Sequence, residues 1–172
     1  MAVTGSVLPA VPRIEGDGLV LREWQPADLG AMVELFDEPE IARRTPLPSP
    51  FTAADAAARL ERARSGDPLM LAITTDGWRS LGEVLLMAGG VLGYQVGAAH
   101  RGAHLASRAL VLLRDFAHGV GFPVLRLDIE PDNTASAAVA RRAGVRLVQP
   151  AAEVVENKGR RYPLDRWEHV AG

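Results

Sequence analysis

The residues best suited to chemistry lie in the run Val96-Gly97-Ala98-Ala99-His100-Arg101-Gly102-Ala103-His104-Leu105-Ala106. An apolar segment passes into small residues and then into an amphipathic stretch, which predicts a strand, a loop and a helix start. The first N–H groups of a helix have no partner within it, and the helix dipole adds positive potential at the same place. Such a site takes an anion, most obviously a phosphate, and glycine and alanine let a ligand approach the backbone. Arg101 could add charge-assisted hydrogen bonds to phosphate oxygens. A plain strand-to-helix turn would also use small residues, so spacing alone leaves both readings open. The glycine patterns of dinucleotide loops and of the Lys-Ser/Thr phosphate loop do not occur in the chain.

A second group follows in Glu130-Pro131-Asp132-Asn133-Thr134-Ala135-Ser136. Asn133 is a natural helix N-cap and Ser136 falls in the first turn behind it. Glu83, Glu130, Glu153, Glu156 and Asp165 are carboxylates available as a general base. The chain has no cysteine, which removes disulfides, thiolate nucleophiles and cysteine-bound metals together. No histidine spacing suggests a metal, so no metal site is expected.

The elements that must hold these groups can be read from period and punctuation. Residues 1–17 mix Gly, Pro and isolated apolar residues without a period and are expected to form a loose arm, with a single domain over 18–172. Leu19–Trp24 reads as a strand. Pro26 and Asp28 then suit a first helical turn, followed by Leu29, Met32, Val33 and Phe36 at helical spacing. A short helix over Pro39–Arg44 precedes a Pro-rich loop at 45–50. A capped helix is expected from Thr52 to about Ser65. Strands are predicted at Leu69–Thr74, Leu81–Met87 and Val91–Val96, the last two joined by a tight Ala88-Gly89-Gly90 hairpin. The helix Leu105–His118 is followed by a strand at Val124–Ile129 and a helix at Asn133–Ala143. Strands at Val145–Val148 and about Tyr162–His169 end the chain. Antiparallel strands followed by strand–helix–strand–helix–strand imply an α+β, or mixed α/β, layer fold.

With 172 residues, 48% hydrophobic and 23% charged, the chain matches an ordinary globular domain able to bury a core. Its formal net charge of −2 gives no reason to expect nucleic acid or an anionic membrane as partner. No apolar run approaches a membrane span and no secretory signal pattern opens the chain. With no cysteines, the cytoplasm is the simplest compartment.

In order, the motifs are Leu19-Val20-Leu21-Arg22, Pro26-x-Asp28, Asp37-Glu38-Pro39-Glu40, Gly93-Tyr94-Gln95-Val96, Arg101-Gly102-Ala103-His104-Leu105-Ala106, Pro131-Asp132-Asn133-Thr134-Ala135-Ser136 and Asp165. Over roughly residues 18–170 this order resembles the GNAT superfamily of acetyl-CoA-dependent N-acetyltransferases, and most closely its ribosomal-protein N-terminal acetyltransferases (RimJ/RimL type). Two positions depart from that pattern. The second glycine of the loop is His104, whose N–H would still serve if its φ were negative. The phenylalanine after the helix-ending glycine is Val145, a core exchange.

The resemblance implies a central, mostly antiparallel mixed sheet of about seven strands, with helices on its faces and two parallel strands splayed apart. These would be Tyr94–Gly97 and Val124–Ile129. The pantetheine arm of acetyl-CoA would pair with the open edge at Gln95, Val96 and Gly97, as a strand adds to a sheet edge. The diphosphate would sit on the N–H groups of Arg101, Gly102, Ala103, His104, Leu105 and Ala106, with Asn133 contacting the cofactor or a water. The tyrosine acid of many members maps to Ala140, so Ser136 is the candidate acid. Among the carboxylates, Glu130 and Glu153 lead as candidate bases. The implied reaction is direct acetyl transfer to a primary amine, on a protein N-terminus or a small molecule. The alternative is a non-catalytic acyl-CoA-binding or regulatory module. Arg43, Arg44 and the Pro46–Phe51 loop would face the acceptor, and edge-strand pairing suggests a homodimer.

Overall fold

Asp17 and Gly18 both take positive φ, 47° and 69°, and turn the chain tightly between β1 (Arg13–Gly16) and β2 (Leu19–Glu23). Asp-Gly is a strong two-residue hairpin signal, because that turn's twist matches the strands it joins. The computed structural model describes residues 13–172. The loose arm expected over 1–17 is therefore corrected at its end: Arg13 pairs with Arg22 and Gly16 with Leu19. The rest of that expectation lies outside the described residues. Arg108 secures the turn, its Nε donating to the Asp17 carbonyl at 3.1 Å.

The Leu19–Arg22 and Pro26-x-Asp28 motifs prove to be one device. The Arg22 guanidinium forks onto Asp28, with Nη1–Oδ2 at 2.7 Å and Nη2–Oδ1 at 2.9 Å. The Asp28 Oδ2 also accepts from the Gln25 N–H at 2.8 Å, closing the turn that starts α1 (Leu29–Phe36). Then come α2 (Pro39–Arg44), capped by the Glu38 side chain, and α3 (Ala53–Arg64), with Thr52 and Asp55 forming a reciprocal capping box.

Strands β3 (Leu69–Thr74), β4 (Gly82–Met87) and β5 (Val91–Val96) form antiparallel neighbours, followed by α4 (Leu105–Gly119), β6 (Val124–Ile129) and α5 (Thr134–Arg142). The long hairpin of β7 (Arg146–Asn157) and β8 (Arg160–Val170) closes the chain. Among the described residues one eight-stranded sheet runs β1-β2-β3-β4-β5-β6-β8-β7, and there only β5 and β6 are parallel. Every residue of β3 is buried, so helices cover both faces. Leu71 and Ile73 join the core under α4 with Leu110 and Leu113, while Met70 and Ala72 join Met32, Phe36 and Leu60 of α1 and α3. This is the period-two alternation of a strand serving two cores.

Strand β7 is three times the length predicted from Val145–Val148. Pro150 argues against a regular strand beyond that point, but the register to β8 shifts between Gln149 and Glu153, and Ala151 takes φ 46°. A bulge thus absorbs the proline and lets pairing resume. The Asp165 carboxylate holds it, accepting from the Ala151 N–H at 2.8 Å.

Candidate active site

β5 and β6 share one bridged position, Val91 with Arg126, where the Arg126 N–H donates to the Gly90 carbonyl at 2.9 Å. Beyond it the strands part, as expected, and the cleft opens toward their C-terminal ends. Of the three residues expected on its open edge, Gly97 is committed elsewhere, its N–H donating to the Leu81 carbonyl at 3.0 Å. Strand alternation turns the Val96 amide into the gap instead. The Val96 carbonyl accepts from Arg101 Nε at 3.2 Å. Gln95 contributes its side chain, which donates to the buried Glu83 carboxylate at 3.2 Å.

At the end of this edge the chain makes a short 3-10 turn at Ala98–His100 and enters α4 through Gly102 (φ 92°) and His104 (φ 55°). A Cβ built on Gly102 would meet nothing within 4 Å. Among the described residues no side chain caps α4, and its first-turn donors have no side-chain acceptor there. They face a cavity of about 410 Å³ lined by Gln95, Val96, Arg101, Gly102, His104, Leu105, Ala106 and Asn133. Gly97 and Ala103 are not among its lining residues. Arg101 spends part of its guanidinium on Glu38, with Nη2–Oε2 at 2.8 Å, so its charge is shared with that helix cap.

His104 does not meet the condition of a negative φ: its φ is 55°. The site demands a left-handed turn residue, which explains why the resembled pattern has glycine there. Its ring turns to α5, where Nδ1 accepts from Arg142 Nη1 at 2.9 Å. Left-handed geometry costs a non-glycine residue about 1 kcal/mol. His104→Gly is accordingly expected to raise Tm by about 2–4 °C without weakening ligand binding, whereas the β-branched His104→Val lowers it. Calorimetric melts of the two variants decide this, and a lowered Tm for the glycine variant would show that the Arg142 contact outweighs the strain.

A second cavity of about 680 Å³ opens on the other side, with walls that include Pro46, Leu47, Pro48, Met70, Leu85 and Met87. Arg44, Thr45, Tyr94, Gln95, Asn133 and Ser136 line both cavities and form the passage between them. Asn133 caps α5, its Oδ1 accepting from the Ser136 N–H at 3.1 Å, and Ser136 lines the passage. Tyr94, within the Gly93-Tyr94-Gln95-Val96 motif, donates its hydroxyl to Ser136 Oγ at 2.9 Å. Burial pushes the Tyr94 hydroxyl up to about 12, so it stays protonated at neutral pH. Its place two residues before Val96, on the same strand face, is the signal that could have found it.

Among the candidate bases the structure separates the carboxylates sharply. Glu130 is 7% exposed and lines the second cavity. Its Oε2 accepts from Arg160 Nη2 at 2.7 Å and lies 3.0 Å from Arg44 Nη1, while its Oε1 is buried without a hydrogen-bond partner. Glu153 stands exposed on β7 opposite Leu164 and lines neither cavity. Glu156 is likewise exposed on β7, and Asp165 is occupied by the bulge. Glu83 is fully buried and surrounded by Arg59, Trp24 and Gln95. Asp128, not singled out from sequence, also lines the second cavity.

Residues 18–146 match the sequence model of the acetyltransferase (GNAT) domain. A search of curated proteins by sequence returns no match. Solved structures with the same fold include RimL, a ribosomal L7/L12 α-N-protein acetyltransferase in complex with coenzyme A, at 18% identity and a TM-score of 0.78 over 92% of this chain and 97% of that one. RimJ of Mycobacterium smegmatis in complex with CoA-disulfide aligns at 20% identity and a TM-score of 0.78, over 92% of this chain and 86% of that one. The microcin C7 self-immunity acetyltransferase MccE, in complex with acetyl-CoA and AMP, aligns at 18% identity and a TM-score of 0.77, over 91% and 94% of the two chains.

Proposed function

The chain belongs to the GNAT acetyltransferases, and from that premise we propose that it moves an acetyl group from acetyl-CoA to a primary amine across the passage between its two cavities. The observation that carries this reading is the coincidence, at one mouth, of the parted β5–β6 edge and the uncapped start of α4. The first cavity fits the donor: an open Val96 amide can pair with an extended arm, and the α4 donors and the rim cations Arg101 and Arg142 suit phosphate. When bound, acetyl-CoA supplies an acetyl thioester to the passage.

The chain's own residues do the rest. The Glu130 carboxylate, in the wall of the second cavity, receives the proton the amine must lose, directly or through one water. Arg44 and Arg160 compensate the carboxylate's charge through Oε2. Ser136 Oγ–H, in the passage, donates a hydrogen bond where negative charge develops on sulfur. The apolar walls at Pro46–Pro48 and Met70 exclude water from the amine. A protein N-terminal amine is the proposed acceptor, supported by the RimL-like fold, with a small-molecule amine as the alternative. We place the enzyme in the cytoplasm and a homodimer contact at the edge strand β7, where Leu147, Val148 and Val154 are exposed.

The test is thiol release from acetyl-CoA across a panel of peptides and small amines, beside thermal melts with acetyl-CoA. Saturation at 100 times Kd adds about 2.7 kcal/mol, or roughly 5–10 °C. Gly102→Val places a branched side chain in the open space before the α4 donors, in a backbone geometry that favours glycine. It is expected to abolish this protection while the variant still melts cooperatively. Protection without turnover on any amine would favour a binding module, and retained protection in the variant would remove the loop from the donor site.

A further inference from the structure

We propose that Tyr94 is a positioning residue for the transfer, holding the Ser136 hydroxyl so that its proton faces the passage. This inference rests on the acetyl-transfer reading above and assigns a role that the sequence pattern does not mark. Tyr94 lies on β5 and Ser136 on α5, 42 residues apart, and the tyrosine bridges strand to helix through its hydroxyl. That hydroxyl has one proton and two acceptors within reach, Ser136 Oγ at 2.9 Å and the Ser136 carbonyl at 3.2 Å. The shorter contact is to Oγ, and Tyr94 is the only side chain bonded to that oxygen among the described residues.

A serine hydroxyl carries one donor and two acceptor lone pairs and rotates to suit its neighbours. Once a lone pair is occupied by Tyr94, the serine's own proton is left to point elsewhere, and the remaining space is the passage lined by Arg44, Gln95 and Asn133. Tyr94 keeps its proton throughout. A phenol pushed up to about 12 does not give a proton to a thiolate, whose conjugate acid lies near 8.5. The balance therefore closes without it. The amine nitrogen forms the new bond to carbon, the electrons of the broken C–S bond stay on sulfur, and the nitrogen's proton goes to Glu130. Ser136 contributes a hydrogen bond to the sulfur, and Tyr94 sets the direction of that bond.

The experiment is a double-mutant cycle with a readout on the unliganded protein. Ser136→Ala is expected to lower kcat about 100-fold, and Tyr94→Phe about 10-fold with the KM for acetyl-CoA unchanged. The double variant should be no slower than Ser136→Ala alone, because a residue acting through another adds nothing once that other is gone. In the protein without ligand, NMR Hα–Hβ couplings of Ser136 should report one rotamer in the wild type and rotamer averaging in Tyr94→Phe. Losses that add in the double variant, or couplings that Tyr94→Phe leaves unmoved, overturn the proposal. So does a large loss in Tyr94→Phe with none in Ser136→Ala, which would make the tyrosine itself the donor. A wild type with no turnover on any amine would instead remove the acetyl-transfer reading, while the couplings still report whether Tyr94 holds Ser136.

Discussion

Replacing Glu83 with alanine is expected to lower Tm by roughly 6–20 °C, because stranding one member of a buried ion pair costs about 3–5 kcal/mol. Glu83 is fully buried on β4, where α3, β5 and the segment that follows β2 meet it. Arg59 of α3 approaches both its oxygens, Trp24 Nε1 donates to Oε2 at 2.9 Å, and Gln95 Nε2 donates to Oε1 at 3.2 Å. Arg59 also lies over the Phe36 ring, 5.2 Å from its centre. Truncation leaves a guanidinium and an indole N–H without their partner inside the core that joins α1 and α3 to the sheet. Cooperative melts measure the loss. Glu83→Leu combined with Arg59→Met should recover much of it, because a buried pair replaced by apolar groups of similar volume is often neutral. A Tm within 2 °C of wild type for Glu83→Ala would show that the cluster does not hold these layers together. The same cluster withdraws Glu83 from duty as a base, since its oxygens are already occupied.

Glu130→Gln is expected to cut kcat about 100-fold, the lower end of what a positioned general base supplies. The amide keeps the shape of the side chain and an acceptor oxygen for Arg160, but it cannot take the amine's proton. Alanine is the poorer choice here, because it would leave Arg44 and Arg160 facing a buried gap. Initial rates against amine concentration should show the loss in kcat with the KM for acetyl-CoA little changed. Glu153→Gln provides the comparison and should stay within twofold of wild type, since Glu153 is exposed and lines neither cavity. Equal losses in the two variants, or none in Glu130→Gln, would end the case for Glu130.

The helices were legible because their ends are written locally. Thr52 and Asp55 start α3, Asn133 starts α5, and Gly144 with φ 76° ends it. The small-residue loop before α4 was legible for the same reason, and it lies where an anion site was expected. Its geometry was less so: nothing about His104 as a residue type announces a left-handed φ, which follows from the path the loop must take. The β1–β2 hairpin was written in Asp17-Gly18 but obscured by the aperiodic residues before it. β7 was hidden by Pro150, a local sign against strand that the pairing with β8 overrides through a bulge.

What the sequence by itself determined is the order of elements from β2 onward, the small-residue helix start before α4 and the motif order that carries the GNAT resemblance. Each rests on residues within a few positions of one another, where capping, turn geometry and periodicity act. Only the tertiary structure decided which groups meet. Glu130 is distinguished from Glu153 by Arg44 from α2, Arg160 from β8 and the burial that these packed elements create. Ser136 acquires Tyr94 because β5 passes beneath α5. Desolvation and pairing are properties of neighbours brought from far along the chain, so five similar carboxylates in sequence become one buried cavity-wall carboxylate, one structural ion pair, one bulge anchor and two surface charges.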